Sequence, residues 1–166
     1  AWNGPLDPEH ERAVKERYPE FRAKARLSPV GDTNEVSAIS ALDVSPEERE
    51  ATFERRWGEG GFSFLISCAD LLTNEEANAF AAEFVHRKIR ERVHDPQIAD
   101  LLCPRDHPFG TKRLCVDIDY YETYNRDNVT LVDLRATPIT EITPTGIRTS
   151  ATHHDLETIV FATGFD

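Results

Sequence analysis

The sequence contains no methionine and no long apolar run. A transmembrane helix needs about 20 consecutive apolar residues, and a secretion signal needs a basic start followed by an apolar stretch. The N-terminal segment AWNGPLDPEH has neither feature. We therefore expect a cytoplasmic protein that makes no contact with a membrane. Because methionine is absent and the chain stops directly after the apolar segment IVFATGFD, we also expect an internal part of a longer polypeptide.

Most short motifs of catalysis and ligand binding are missing as well. The sequence has no Gly-x-Gly-x-x-Gly, Gly-x-Ser-x-Gly or His-Glu-x-x-His, and the spacing of Gly58, Gly60 and Gly61 does not fit a phosphate-binding turn. The three cysteines form no Cys-x-x-Cys pair and have no histidine at zinc-ligand spacing, so we expect reduced structural thiols and no metal site. We interpret His153-His154 as a polar surface turn.

Positive charge is in the minority: the chain has 19 basic and 30 acidic side chains, and its net charge is −11. Such a chain repels a phosphate backbone, so we expect no nucleic-acid partner. Against this background, the segment HPFGTKRLC places Lys112 beside Arg113 directly after a flexible turn. Two adjacent cations on a bend form either a solvated loop or a binding site for an anion. The nearby acids Asp117, Asp119 and Glu122 are compatible with simple charge balance.

Helix-start signals recur in residues 1–104. Asp7 precedes a proline at the first helical position, and Pro19 predicts a break further along. Ser45 begins a capping box that predicts a helix as far as Gly58. Thr73 predicts a further helix start, and the segment Asp95-Pro96 predicts a short helix that Pro104 closes. The helix after Thr73 carries an apolar stripe at spacings of three and four, with His86 among the residues expected on its other faces.

The residue pattern changes after Pro104. DIDYYETYNRDN predicts a short aromatic helix, and four segments rich in Val, Ile and Thr then predict strands: NVTLVDLR, PITEIT, GIRTS and LETIVFAT. The sequence therefore indicates the α/β fold class, with a helical part followed by a strand-rich part.

The second half also resembles a known family. The Gly-Thr-Lys-Arg turn, the run DYYETYNRDNV, the Pro-Ile strand and the ending ATGFD together resemble the Baeyer–Villiger monooxygenases, and NGPLDPE, ALDVSPEE, EGG and AEFVHRKIR in the first half resemble the helical insertion of that family. Those flavoproteins use FAD, NADPH and O2 to insert one oxygen atom into a ketone through a flavin C4a-peroxide, which gives an ester or a lactone.

The resemblance implies an organisation as well as a reaction. Residues 1–104 would be the helical insertion of the NADPH domain, and residues 105–166 would be the strand-rich segment of that dinucleotide-binding, Rossmann-like domain, leading back to the FAD domain. The remaining segments of both domains would be partners within the same enzyme. Because the chain has no glycine-rich phosphate-binding turn, we expect it to be inactive by itself.

The resemblance also implies a role for each cation. Lys112 would contact the adenosine 2′-phosphate of NADPH and so bind this cofactor. Arg113 would face the flavin as the catalytic residue. Gly110 would let the turn approach a ligand or move the cations.

Two other interpretations of the sequence stay open. A related flavin monooxygenase that hydroxylates nitrogen or sulfur has a similar organisation, although the Gly-Thr-Lys-Arg turn argues against it. A non-catalytic acidic module, whose helices dock a partner, would also fit the composition.

Overall fold

The computed structural model describes residues 5–28, 31, 33–34, 36–113, 115 and 117–164. These residues form helices followed by a small sheet, which confirms the order of the two parts. The helices are α1 (Pro8–Glu16), α2 (Tyr18–Leu27), α3 (Pro46–Glu59), α4 (Glu75–Arg92), α5 (Pro96–Leu102) and α6 (Tyr120–Thr123). The strands are β1 (Ile139–Thr143), β2 (Gly146–Thr149) and β3 (His153–Asp155). No helix in these ranges is long and apolar enough to cross a membrane.

Single side chains fix where the helices begin. Asp7 accepts a hydrogen bond from the N–H of Glu9, and Ser45 and Glu48 form the expected capping box. Asp95 accepts from the backbone of the first turn of α5. Each cap satisfies N–H groups that have no partner inside the helix.

Two helix boundaries differ from the sequence prediction. Helix α3 passes through Gly58 and ends at the cap Gly60, whose φ of 74° suits a glycine. Helix α4 is capped by Asn74 instead of Thr73, because the Asn74 side chain accepts from the N–H groups of Glu76 and Ala77. Helix α3 is thus longer than predicted, and α4 begins one residue later. Neither difference changes the apolar stripe of α4.

The chain divides into two compact units, with the boundary after Glu122. The first unit contains the hydrophobic core, built from α3, α4, α5 and the segment between α3 and α4. Four aromatic rings meet at its centre, where the Phe84 ring lies 5.0 Å from Phe64, 5.5 Å from Phe53 and 5.7 Å from Trp57 between centroids. Most of the buried apolar residues belong to the apolar stripe of α4 or to the segments that pack against it.

The second unit begins at Thr123 and contains the antiparallel sheet in the order β1-β2-β3. Gly146 pairs with Asp155, and a β-carbon at Gly146 would meet the carbonyl oxygen of His154 at 1.9 Å. Only glycine therefore fits this close approach of two strands.

Two of the four strand predictions are wrong, and so is the turn predicted at His153-His154. NVTLVDLR forms no strand, because the Asp133 side chain accepts from the N–H of Arg135 and its carbonyl accepts from Thr137, which makes a turn. LETIVFAT also forms none. His153 and His154, predicted as a surface turn, lie in β3 instead and pair with β2.

Candidate functional site

Helix α4 holds the segment that follows α5 at three points. His86 Nε2 lies 2.7 Å from the carbonyl oxygen of Pro104, Asn78 bonds the backbone of Phe109, and Arg92 pairs with Asp117. Since a carbonyl only accepts, Nε2 of His86 must carry the proton. All three contacts are made by one helix and lie on both sides of Lys112 and Arg113 in the sequence, so one rigid element positions the segment that carries the two cations.

The contact at Asn78 is the most extensive of the three. Its amide nitrogen donates to the carbonyls of Leu71, at 2.7 Å, and Phe109, at 2.8 Å. Its carbonyl oxygen accepts from the N–H of Phe109 at 2.9 Å. The Phe109 ring packs edge-on against Phe64 of the core, with centroids 5.3 Å apart. Backbone and side chain of Phe109 are therefore both anchored.

The acids predicted to balance the cations are engaged elsewhere. Arg92 donates to Asp117 at 3.3 Å, and its Nε lies 3.5 Å from a carboxylate oxygen of Glu122. Both carboxylates thus pair with the last turn of α4. Among the residues that the structure describes, neither forms an ion pair with Lys112 or Arg113.

The cations sit on a tight turn. The N–H and hydroxyl of Thr111 both donate to the carbonyl of Pro108, and Gly110 adopts a φ of 83°, which an L side chain rarely adopts. Lys112 and Arg113 follow and are exposed. The Arg113 guanidinium lies 5.6 Å from the centroid of the Phe62 ring. Within the described ranges, Lys112 has no ion-pair partner and is free to meet an anion.

Both cations line one cavity of about 600 Å³. Its other walls are largely apolar and aromatic, formed by residues that include Val85, Phe109, Ile118, Tyr120 and Tyr121. Burial raises the pKa of the Tyr121 phenol, and the nearby Asp117 carboxylate adds to this effect. Because that phenol stays neutral at pH 7, it adds no negative charge that would oppose an anion.

This geometry brings the two predicted site residues together at one cavity, which fits an anionic ligand with an apolar ring system. Sequence reasoning missed Asn78 and His86. It placed His86 on the outer faces of α4, whereas the side chain is buried against Pro104. No local sequence signal identifies either residue, because polar residues beside an apolar stripe have the same pattern whether they face solvent or a buried partner.

The described parts of the chain contain no cluster of three or more His, Cys, Asp or Glu side chains that could hold a metal ion. His153 is engaged within the sheet, where its Nε2 lies 3.0 Å from the Thr143 hydroxyl.

Similar proteins were found among curated sequences and solved structures, although no protein-family model matches. The chain is 44% identical over 165 residues to 2-oxo-Delta(3)-4,5,5-trimethylcyclopentenylacetyl-CoA monooxygenase of Pseudomonas putida. It is 44% identical over 168 residues to a Baeyer-Villiger monooxygenase of Pseudooceanicola batsensis. Both alignments cover 99% of this chain and 30% of the relative. An oxidised steroid monooxygenase bound to NADP superposes with a TM-score of 0.93 at 49% identity, over 98% of this chain and 31% of that one.

These similarities extend over nearly every residue of the chain and agree in sequence and in structure. The chain belongs to the Baeyer–Villiger monooxygenase family. It spans about 30% of the length of the curated relatives that it matches.

A further relative carries a name of a different kind. The chain is 44% identical over 135 residues to Phenazine N-monooxygenase PhzNO1 of Lysobacter antibioticus, covering 80% of this chain and 25% of the relative. Similarity of this degree is therefore shared by enzymes named for oxygenation at carbon and at nitrogen.

Proposed function

We propose that this chain is the part of an FAD- and NADPH-dependent Baeyer–Villiger monooxygenase that presents two cations to the cofactors. The enzyme inserts one oxygen atom of O2 into a ketone and forms an ester or a lactone. Residues 1–104 serve as the helical insertion of the NADPH domain, and residues 105–166 as the strand-rich segment of that Rossmann-like domain. The observation that carries the proposal is the adjacent pair Lys112 and Arg113 at one cavity.

Lys112 binds the 2′-phosphate of NADPH. Its ammonium group is exposed, and among the described residues no carboxylate competes for it. An ammonium on a four-carbon stem suits a phosphate, because a dianion needs a compact charge that can adjust its position. NADH lacks this phosphate, so the same contact selects NADPH.

Arg113 stabilises negative charge during the oxygen transfer. When bound, the flavin supplies the activation of O2 that the reaction requires. A guanidinium carries a positive charge that is delocalised over three nitrogen atoms, and it keeps this charge throughout the reaction. It therefore stabilises charge that develops on the ketone oxygen without having to gain or lose a proton.

The substitution Lys112→Ala in the intact enzyme tests the cofactor assignment. We expect the ratio of kcat/KM for NADPH to that for NADH to fall by roughly 10-fold to 100-fold, since a hydrogen bond to a charged group contributes about 1.5–3 kcal/mol. Lys15→Ala is the matched control, because Lys15 pairs with Glu11 on the exposed surface of α1. An unchanged cofactor ratio in Lys112→Ala would contradict the assignment.

A second candidate function is oxygenation of nitrogen, which the similarity to the phenazine N-monooxygenase favours. Both reactions can use the same two cofactor contacts, so the cavity alone does not separate them. The products do. Incubation of the intact enzyme with a cyclic ketone and, separately, with a phenazine distinguishes a lactone from an N-oxide by mass spectrometry, and formation of only the N-oxide would replace the proposal above.

A further inference from the structure

The side-chain amide of Asn78 and the backbone of Phe109 exchange two hydrogen bonds across 31 residues of sequence. Asn78 donates to the Phe109 carbonyl at 2.8 Å and accepts from the Phe109 N–H at 2.9 Å. A third bond, from the same amide nitrogen to the carbonyl of Leu71 at 2.7 Å, fixes the orientation of the amide. Neither the N–H nor the carbonyl of Phe109 can shift without breaking one of these bonds.

Only an amide satisfies all three contacts at once. It carries two N–H donors and a carbonyl acceptor in one plane, whereas a carboxylate has acceptors alone and an aliphatic side chain has neither. Asparagine also has a low helix propensity, so Asn78 does not stabilise the first turn of α4 by its propensity. Its contribution is therefore to the loop contact and not to helix propensity.

Phe109 is three residues before Lys112. Three extended residues span at most about 10 to 11 Å, so an anchor at Phe109 limits how far the ammonium group can be displaced. The turn between them is tight, because Gly110 is in the left-handed region and Thr111 donates twice to Pro108. Movement of Phe109 would consequently be transmitted to Lys112.

We propose that Asn78 is a positioning residue for the cofactor contact, acting through Phe109 to hold Lys112 at the 2′-phosphate. This inference rests on the proposed function. It assigns to a residue of α4, distant in sequence from the cation pair, a role in NADPH selectivity. A purely structural role would have a different outcome, because it would alter the stability of the fold and leave cofactor selectivity unchanged.

The test is Asn78→Asp in the intact enzyme. This change keeps the size of the side chain and its acceptor for the Phe109 N–H, but it removes both donors and turns a carboxylate oxygen toward two carbonyls. We expect the ratio of kcat/KM for NADPH to that for NADH to fall about tenfold, the lower end of the range for Lys112→Ala, because a displaced ammonium group keeps part of its attraction to the phosphate.

Asn74→Asp is the matched control. It makes the same change of charge at the start of the same helix. Among the described residues the Asn74 side chain only accepts hydrogen bonds, from the N–H groups of Glu76 and Ala77, and aspartate caps as well as asparagine does. We expect this control to keep the cofactor ratio. A loss of melting temperature in Asn78→Asp without a change of ratio would overturn the inference.

The double substitution Asn78→Asp with Lys112→Ala completes the experiment. If Asn78 acts through Lys112, the double variant has the same cofactor ratio as Lys112→Ala alone. Independent effects that multiply would overturn the positioning role. An Lys112→Ala enzyme with unchanged selectivity would overturn the cofactor assignment and this inference together, whereas a null result confined to Asn78→Asp would overturn this inference alone.

Discussion

At the residue scale, the role proposed for Arg113 is to stabilise negative charge during oxygen transfer. Its guanidinium lies 5.6 Å from the Phe62 ring centroid, and it lines the same cavity as Lys112. In the intact enzyme, we expect Arg113→Ala to lower the rate of ester or lactone formation by about 100-fold to 1,000-fold, the cost of removing one donor to a developing oxyanion. Product formation by gas chromatography measures the effect.

The control for this change is Arg22→Ala, because Arg22 lies on the exposed α2 helix beside Tyr18. It removes an equal charge and should leave the rate of product formation unchanged. A normal rate in Arg113→Ala would show that another group supplies the stabilisation.

The thiols give a pH prediction at the same scale. Burial raises the pKa of Cys68 and of Cys103. An unfolded thiol ionises near pH 8.5, so above that pH the unfolded chain loses protons that the folded chain retains. The contribution of each buried thiol to the free energy of unfolding is therefore fully present below about pH 8.5. It is lost as pH rises toward the pKa of that thiol in the folded chain. Between pH 7.5 and 9.5 we therefore expect the free energy of unfolding to fall, measured by urea unfolding of the 166-residue chain.

The variant Cys68→Ala/Cys103→Ala serves as the reference for this pH dependence. It should be less stable at pH 7.5, but its stability should fall less between the two pH values. An equal fall in both proteins would assign the pH dependence to other groups, of which Tyr121 is one, because burial raises its pKa too.

Residue identity drew attention to Lys112 and Arg113, because two adjacent cations stand out in an acidic chain, and the family resemblance implied their roles. It did not predict Asn78 or His86. An asparagine or histidine beside an apolar stripe has the same pattern whether it faces solvent or a buried carbonyl. Only the partner distinguishes these cases, and the partners Phe109 and Pro104 lie 31 and 18 residues away in sequence.

At the scale of elements, the stripe of α4 is the part of the chain on which the site depends. Phe84 is 2% exposed and contacts three aromatic rings. We expect Phe84→Ala to lower the free energy of unfolding by about 3–5 kcal/mol, because it removes buried area and leaves a cavity. Chemical denaturation measures this loss.

Leu101→Ala on α5 is the control, because Leu101 is 53% exposed and its removal should cost far less. Equal losses in the two variants would mean that the aromatic cluster is not the stabilising core.

Helix starts were predictable and strand pairing was not, for a physical reason. A cap is a contact between residues two or three positions apart, so Asp7, Ser45 and Asp95 carry the information locally. A strand needs a partner strand, and Val-Ile-Thr composition does not specify one. One predicted strand forms a turn instead, because the Asp133 side chain accepts a hydrogen bond from the backbone. The polar residues His153 and His154, by contrast, form a strand that pairs with β2.

At the scale of the whole molecule, the two units differ in what stabilises them. Every buried apolar residue that the structure describes lies between Ala41 and Cys103. In the described part of the second unit, the buried residues are Gly146 and Thr149. Val160 is 83% exposed and Phe161 is 70% exposed, and burying either side chain contributes about 1.5–3 kcal/mol. We therefore expect other segments of an intact enzyme to cover these side chains and to stabilise the second unit.

Hydrogen exchange provides the test of this dependence. In the 166-residue chain we expect the amides of α4 to be protected and those of β1, β2 and β3 to exchange rapidly, because a short sheet without an apolar core opens at low free energy. In the intact enzyme we expect the same strand amides to become protected by at least about 10-fold, since covering the exposed apolar side chains Ile139 and Ile142 of β1 raises the cost of opening. The α4 amides, measured in both samples, serve as the internal reference. Slow exchange of the strand amides in the 166-residue chain would show that the sheet is stable without a covering segment.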